Sequence, residues 1–344
     1  MKRKILAPLF FYLLITATAF GQTSSIDKVK FFQDTSTLNA TLTTDFVHLF
    51  RQRTKEGKQF PGYFSTSLSG DTSVNVPVVL ELRGHMRKEH CNIPPVRINF
   101  KSDKKSPMAP LGTLKLVNQC VSSSTDEQYL LKEFLVYKIY NMISDLSYRV
   151  RLLKLTLADS NGKKRPTDEY AFLVEDIKDL AKRNDCKQLK TIKLNELQTD
   201  RKQMTTVAIF EYMIGNTDWG VAANHNTRLI LSTTDSGARP YVIPYDFDYS
   251  GLVNTNYAVP DESLGIQNVR ERLYRGFPRS IQEINEALEV FKNKKEAIYA
   301  LINGYPLLTE PSKKDMIQYL DDFYKVITDP RSVKNTFIDN ARTE

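Results

Sequence analysis

The chain has a strand-like run at Val76-Pro77-Val78-Val79-Leu80-Glu81-Leu82-Arg83, which is rich in β-branched and aliphatic residues. Turn-forming residues separate this run from its neighbours. Three similar runs lie nearby, at residues 60–67, 95–101 and 113–117. Short strands joined by turns are typical of antiparallel pairing. The sequence therefore predicts an antiparallel sheet over this part of the chain.

Helical periodicity follows the sheet. Apolar residues recur at helical spacing over residues 126–144, and Ser124 with Glu127 forms the pattern of a capping box at the start. The later predicted elements are strands at 149–157 and 170–174, a short helix at 177–183, a helix at 205–214, strands at 228–231 and 241–244, and helices at 279–303 and 313–328. This order predicts an α+β protein whose first half is rich in sheet and whose second half is mainly helical.

The composition is that of an ordinary folded protein. Of 344 residues, 41% are apolar and 26% are charged, which excludes a disordered or collagen-like chain. Residues 1–21 have a basic start, an apolar run and a small-residue exit, so they are interpreted as a secretory signal peptide cut before Gln22. Without them the formal charge is +5, a weak preference for anionic ligands and no sign of nucleic-acid binding. We therefore expect an exported protein, secreted or held in the periplasm or cell envelope, with no stable membrane span after cleavage.

The three cysteines allow at most one intramolecular disulfide. Cys91 precedes one strand-like run and Cys120 closes another. If these strands are neighbours, the pair is Cys91–Cys120, and Cys186 remains a free thiol. Three reduced cysteines are the alternative. A zinc site is disfavoured because the chain has no Cys-x-x-Cys pair and no histidines at ligand spacing.

Two acidic motifs lie in the second half of the chain. Gly215-Asn216-Thr217-Asp218, followed by Asn224-His225-Asn226, comes after an apolar helix, and Asp246-Phe247-Asp248 comes directly after a strand-like run. Carboxylate and amide oxygens are ligands that Mg²⁺ prefers, and a carboxylate can accept the proton of a hydroxyl group. The same residues also form turns and caps in many proteins. Their order and their positions favour metal binding.

With these motifs the chain resembles the spore-coat CotH kinase family over about residues 76–258. The similar blocks are Leu82-Arg83-Gly84-His85-Met86-Arg87, Pro94-Pro95-Val96-Arg97-Ile98-Asn99-Phe100, residues 170–177, the two motifs at Asp218 and Asn226, and Pro244-Tyr245-Asp246-Phe247-Asp248. The resemblance implies an α+β, two-lobed protein-kinase-like fold with an antiparallel-sheet N-lobe and a mainly helical C-lobe. The implied segments are a signal peptide at 1–21, an N-terminal extension at 22–59, the N-lobe at 60–175, the C-lobe with the metal and nucleotide site at 176–330, and a tail at 331–344.

The resemblance also implies a role for individual residues. Asp218 is the expected catalytic base, and the remaining site residues are Asn226, Asp246 and Asp248 for Mg²⁺ or Mn²⁺, Glu175 near the adenine of ATP, and Arg83 or Arg97 for phosphate. Strand alternation favours Arg97, because it places this residue on the face opposite the core. Asp218 lies eight residues before Asn226 and six before Asn224, against five in the usual kinase loop, so Asn224 remains an alternative ligand. The chain also has no Gly-x-Gly-x-x-Gly loop.

The leading functional hypothesis is an exported CotH-like kinase, a transferase. It would move the γ-phosphoryl group of ATP to a hydroxyl of an exported or cell-surface protein, with Mg²⁺ or Mn²⁺. The alternative is a non-catalytic, pseudokinase-like binding or envelope-assembly protein, which the longer loop and the missing glycine loop favour. A metal-dependent phosphoesterase using Asp218, Asp246 and Asp248 is a third hypothesis.

Overall fold

The computed structural model describes residues 25–55, 57–68, 72–84, 87, 91–92, 94–190 and 193–343. The predicted signal peptide lies outside these residues. Within the described part of the chain, no helix combines the length and the apolar character that crossing a bilayer requires.

The described residues of the first half form strands and helices. In chain order they are α1 (Lys28–Gln33), β1 (Leu38–Thr44), α2 (Phe46–Arg51), β2 (Gln59–Leu68), β3 (Thr72–Leu82), β4 (Val96–Asn99), β5 (Thr113–Asn118), α3 (Ser124–Ile143), β6 (Val150–Asp159) and β7 (Thr167–Val174). The predicted strands therefore exist, and each lies within a few residues of its predicted bounds. Helix α3 begins after Ser123, whose hydroxyl accepts the N–H of Asp126 at 3.0 Å. The predicted capping box at Ser124 was wrong by one residue.

The seven strands form a closed barrel in the order β1-β2-β3-β4-β5-β7-β6. Neighbouring strands are antiparallel except β1 and β6, which are parallel. The first half is thus a closed, mixed barrel and not an antiparallel sheet. The predicted two-lobed protein-kinase-like fold with an antiparallel-sheet N-lobe was therefore wrong.

The predicted sheet left out strand β1, which lies in the segment at residues 22–59 that was predicted as an extension. This strand closes the barrel. Leu42 of β1 lies opposite Phe64 of β2 on one side and opposite Leu157 of β6 on the other. Residues 38, 40, 42 and 44 are buried, whereas the residues between them are partly or fully exposed. Pairing on both sides leaves β1 without a free edge, which closes the barrel.

Aliphatic and aromatic side chains fill the barrel interior. Phe64 and Phe100 pack edge to face there, with ring centroids 5.2 Å apart. The expected alternation in β4 is confirmed, because Val96 and Ile98 belong to this core and Arg97 does not. Helix α3 packs on the outside of β6 and β7 and joins the barrel to the second half.

The second half contains a small sheet and the remaining helices. Its elements are α4 (Ile177–Arg183), β8 (Cys186–Leu189), α5 (Arg201–Ile214), β9 (Thr227–Ser232), β10 (Tyr241–Pro244), α6 (Ile281–Asn303), α7 (Glu310–Thr328) and α8 (Pro330–Lys334). The sheet has the order β10-β9-β8 and is antiparallel. The bounds of α4 and β10 agree with the predicted ones.

A disulfide joins Cys91 to Cys120, with Cα atoms 4.3 Å apart. Strands β4 and β5 are neighbours, as the prediction of this pair required. Cys186 is buried and free. The predicted cysteine pairing is confirmed.

Candidate functional site

The β9–β10 hairpin brings the two acidic motifs together. Thr227 pairs with Pro244 in the antiparallel ladder, and the N–H of Tyr245 donates to the carbonyl of Asn226 at 3.0 Å. Asn226 and Asp246 therefore lie at the same end of the hairpin, although twenty residues separate them along the chain.

The Asp218 loop is held by hydrogen bonds from its own residues. Helix α5 ends at Gly215, which adopts the left-handed conformation with φ 65°. The side-chain oxygen of Asn216 then accepts the N–H of Asp218 at 3.0 Å, and its amide nitrogen donates to the buried carboxyl of Glu211 at 2.9 Å. Burial raises the pKa of Glu211 to about 8. The start of the loop is thus tied to the end of the helix.

The side chains of Arg275 and Trp219 pack together beside the same loop. Arg275 donates to the carbonyls of Thr217 and Trp219, and its guanidinium lies 5.4 Å from the Trp219 ring. Trp219 is buried. The backbone on both sides of Asp218 therefore has a fixed partner.

The Asp218 carboxylate has a partner on each oxygen. Its Oδ1 lies 2.7 Å from His225 Nε2, and its Oδ2 accepts the amide nitrogen of Asn226 at 2.9 Å. The same nitrogen also donates to the Asp218 carbonyl at 2.8 Å. The nitrogen of Asn226 is thus used within the loop, and its amide oxygen is the atom that could bind a metal.

Phe247 anchors the Asp246-Phe247-Asp248 segment. Its ring is fully buried, 4.7 Å from Tyr137 and 5.6 Å from Phe210. The N–H of Asp246 donates to the Tyr137 hydroxyl at 2.9 Å, and Asp248 is buried with its Oδ2 accepting the Tyr257 hydroxyl at 2.9 Å. Burial, and then the charge of Asp246, raises the pKa of Asp248 to about 6.

Left-handed backbone is concentrated in this site. Within the described residues, five non-glycine positions have positive φ, and three of them are Asn224 (52°), Asn226 (48°) and Asp246 (68°). This conformation costs energy in L-residues and persists where the surroundings impose it, often at binding sites. The clustering supports a functional role for these two loops.

Basic side chains from the barrel face Asp246. Burial lowers the pKa of Lys115 to about 7, with repulsion from Arg83 adding to this shift and the charge of Asp246 opposing it. The Lys115 Nζ lies 3.9 Å from the Tyr245 ring centroid, and the Arg228 guanidinium lies 4.7 Å from it. Lys115 was not among the predicted site residues. Its position in β5, opposite Arg97 in the ladder, is the signal that alternation could have supplied.

The two predicted phosphate-binding arginines differ in their surroundings. Arg97 is partly exposed and pairs with Glu81 at 2.7 Å. Arg83 donates to the carbonyl of Leu116 at 3.2 Å. Burial lowers the pKa of the Arg83 guanidinium, and the charge of Asp246 opposes that shift. The charge of Asp246 therefore acts on Arg83, whereas Arg97 was favoured from sequence.

Glu175 has a set of structural contacts. Its carboxylate forms two hydrogen bonds with Arg183, at 2.9 Å and 3.1 Å, and accepts the N–H of Arg149 at 3.1 Å. These contacts hold the end of β7 against α4. The adenine-side role of Glu175 stays a prediction.

A small space of about 20 Å³ lies between α3 and the Asp248 segment, and its lining includes Arg87, Glu133, Asp248 and Tyr257. Glu133 is buried, and its Oε1 has no hydrogen-bond partner within the described residues. Burial raises the pKa of Glu133 well above its ordinary value, and the charges of Asp248 and Asp246 raise it further. Sequence reasoning missed Glu133, although a charged residue inside the apolar run of α3 was a signal.

A second cleft, of about 240 Å³, lies beside Asp218. Its wall is formed by Thr217, Asp218, Tyr249, Val259, Pro260, Asp261 and Val269. Val259 is 71% exposed, which is unusual for a valine and gives the rim an apolar patch. The cleft is large enough for one or two side chains of another molecule next to the Asp218 carboxylate.

Among the described residues, no three or more His, Cys, Asp or Glu side chains are grouped so that they could hold a metal ion. The predicted metal ligands are not such a group, because only two of them, Asp246 and Asp248, are carboxylates and the third is the amide of Asn226. Comparison with protein-family models and with curated proteins finds no match to this chain. The CotH resemblance therefore stays a prediction.

Proposed function

We propose that this chain is an exported phosphotransferase that uses ATP with Mg²⁺ or Mn²⁺ and phosphorylates a hydroxyl group of a protein substrate. One observation carries the proposal: the Asp218–Asn226 pair and Asp246 lie at the same end of the hairpin. The charges of Lys115 and Arg83 interact with Asp246 there. Oxygen ligands next to buried cations are what a metal–polyphosphate complex requires. The proposal depends on this site and not on a kinase-like fold.

The residues present fit a hard divalent cation. Asp246, Asp248 and the amide oxygen of Asn226 would hold the metal, and Arg83 and Lys115 would face the phosphates. When bound, the metal would neutralise charge that develops on the phosphoryl oxygens. Arg83 and Lys115 are partly buried, and their charges already act on Asp246 in the folded protein.

Asp218 would orient the acceptor hydroxyl and take its proton. The hydrogen bonds from His225 and Asn226 hold the carboxylate in one orientation, which is the condition for positioned proton transfer. The cleft beside Asp218 would receive the acceptor segment. Its apolar rim at Val259 and Pro260 suits a hydroxyl residue that has an apolar neighbour.

One observation favours the second candidate, a non-catalytic binding or envelope-assembly protein. Asp248 is buried, is bonded to Tyr257 and has its pKa raised to about 6, so its carboxylate is less ready to bind a metal than an exposed one. A protein of this kind would bind nucleotide or metal weakly and transfer no phosphate.

The test is a thermal-shift series on the purified protein with ATP, with Mg²⁺ or Mn²⁺, and with both. We expect stabilisation of a few degrees only when nucleotide and metal are present together, since ligand at about 100 times its Kd adds about 2.7 kcal/mol. Asp246→Asn should abolish this shift. Asp218→Asn should keep it but remove the transfer of radiolabelled phosphate to an acceptor protein.

The matched control is Asp261→Asn, which changes an exposed carboxylate of the neighbouring cleft. It should leave the shift intact. A shift without phosphate transfer in the unaltered protein would favour the binding protein. No shift under any condition would refute the nucleotide site.

A further inference from the structure

Arg87 lies beside the candidate site and has no part in the function proposed above. It lines the same small space as Glu133, Asp248 and Tyr257, and its guanidinium donates to the carbonyl of Asn118 at 2.5 Å. Its Nε is buried and has no partner within the described residues. Burial lowers the pKa of Arg87, but Tyr257, Asp248 and Glu133 together outweigh burial, so its charge is retained.

The Cys91–Cys120 disulfide ties Arg87 to the end of strand β5. The N–H of Cys91 donates to the Arg87 carbonyl at 3.1 Å, and the N–H of Asn92 donates to the Cys120 carbonyl at 2.7 Å. Cys120 stands two residues after Asn118, the acceptor of the Arg87 side chain. The Arg87 side chain is therefore linked to residue 118 by a hydrogen bond, and its backbone is linked to residue 120 through Cys91 and the disulfide.

We propose that the Cys91–Cys120 disulfide is a positioning element of the site: it holds Arg87 where this residue offsets the negative charge of Asp248, and so allows a polyphosphate to bind nearby. The ligand in this inference rests on the proposed function, but the position of Arg87 does not. Arg87 is a positioning residue here, since it acts through the Asp248 carboxylate.

The physical reason is the low dielectric of the space. Asp248 is buried, and a carboxylate with little water around it repels an approaching anion. A guanidinium in the same space cancels part of that field. Without the disulfide, the covalent link between Cys91 and residue 120 is lost, and the Arg87 cation could move towards water.

The first test is calorimetric titration of the oxidised protein with Mg²⁺–ATP. We expect Arg87→Ala and the double variant Cys91→Ser/Cys120→Ser each to raise the Kd about tenfold. Because both changes act through one guanidinium, combining them should add little. Arg87→Lys, which keeps the charge, should recover part of the affinity.

Cys186→Ser is the matched control, since it removes the cysteine that takes no part in the disulfide. Its Kd should equal that of the unaltered protein. Unchanged affinity in the double serine variant would overturn the inference, and so would fully additive effects of the Arg87 and cysteine changes. If the serine variant does not fold, the Arg87 variants, whose disulfide is intact, still decide whether the guanidinium matters.

The second test needs no nucleotide. Phenylglyoxal reacts with accessible guanidinium groups, and mass spectrometry identifies the modified arginine. We expect Arg87 to react several times faster after Cys91→Ser/Cys120→Ser, whereas Arg183, held by Glu175, stays slow in both proteins. Equal Arg87 reactivity with and without the disulfide would overturn the positioning role. Absence of Mg²⁺–ATP binding, with faster Arg87 labelling in the variant, would refute the proposed function alone.

Discussion

Replacing Tyr137 with Phe removes one hydroxyl from the wall of the candidate site. Tyr137 is buried in α3, and its Oη accepts the N–H of Asp246 at 2.9 Å. The ring itself packs 4.7 Å from Phe247 and 5.6 Å from Phe172, and phenylalanine keeps both contacts. The substitution therefore isolates a single hydrogen bond.

The expected loss of stability comes from the N–H of Asp246, which loses its hydrogen-bond acceptor. A buried donor without a partner costs about 1–3 kcal/mol. Asp246 is half-buried, so water can satisfy part of the loss, and we expect Tyr137→Phe to lower the free energy of unfolding by about 1–2 kcal/mol. The same bond supports the left-handed backbone of Asp246, with φ 68°, so the affinity for Mg²⁺–ATP should fall several-fold.

Tyr140→Phe is the matched control one turn further along α3. The Tyr140 hydroxyl is buried and meets no hydrogen-bond partner within the described residues. Removing it should leave the free energy of unfolding unchanged or raise it by up to about 1 kcal/mol, because an unsatisfied polar group is lost. Urea unfolding of both variants measures the difference. Equal destabilisation by the two substitutions would refute the reasoning.

Two further substitutions test the other buried carboxyl groups. Glu175→Gln leaves the Arg183 guanidinium without its carboxylate partner, so the free energy of unfolding measured in urea should fall by about 2–4 kcal/mol. The affinity for Mg²⁺–ATP should not change. Lost affinity at unchanged stability would instead support the adenine role. Glu169 is buried, and burial raises its pKa to about 8, so between about pH 5 and 8 the folded state holds a proton that the unfolded chain releases. The free energy of unfolding should therefore fall as pH rises through this range, and Glu169 should contribute up to about 1.4 kcal/mol per pH unit to that slope. Glu211 has a pKa raised to about 8 as well, so Glu169→Gln should reduce the slope by the contribution of one group and not remove it. Exposed Glu296→Gln serves as the control, and an unchanged slope in the Glu169 variant would contradict the assignment.

The individual elements were predictable because their signals are local. Helix α4 and strand β10 have the predicted bounds, and β2, β3 and β5 differ from theirs by a few residues. Each is marked by a periodic run between turn residues, which depends only on neighbours in the chain. Closure of the barrel was not predictable in this way. Strand β1 is rich in threonine and looked like part of a polar extension, and its parallel partner β6 lies more than 100 residues away.

The residues of the candidate site show the same contrast between local sequence signals and contacts of distant segments. Asp218, Asn226 and Asp246 were found from sequence, because two short motifs and one hairpin contain them. Glu133 and Lys115 were missed, since each stands within an ordinary helix or strand pattern and becomes a site residue only when the barrel packs on the second half.

The amino-acid order alone therefore indicated most of the helices and strands, the acidic motifs, and Cys91 and Cys120 as the pair that would form if a disulfide is present. The closed barrel, and the cations and carboxyl groups that surround Asp246, depended on the folded chain. The physical reason is that periodicity and turn chemistry act between residues a few positions apart. Strand closure and buried charge arise from contacts between distant segments, and no local pattern encodes which of those segments will meet.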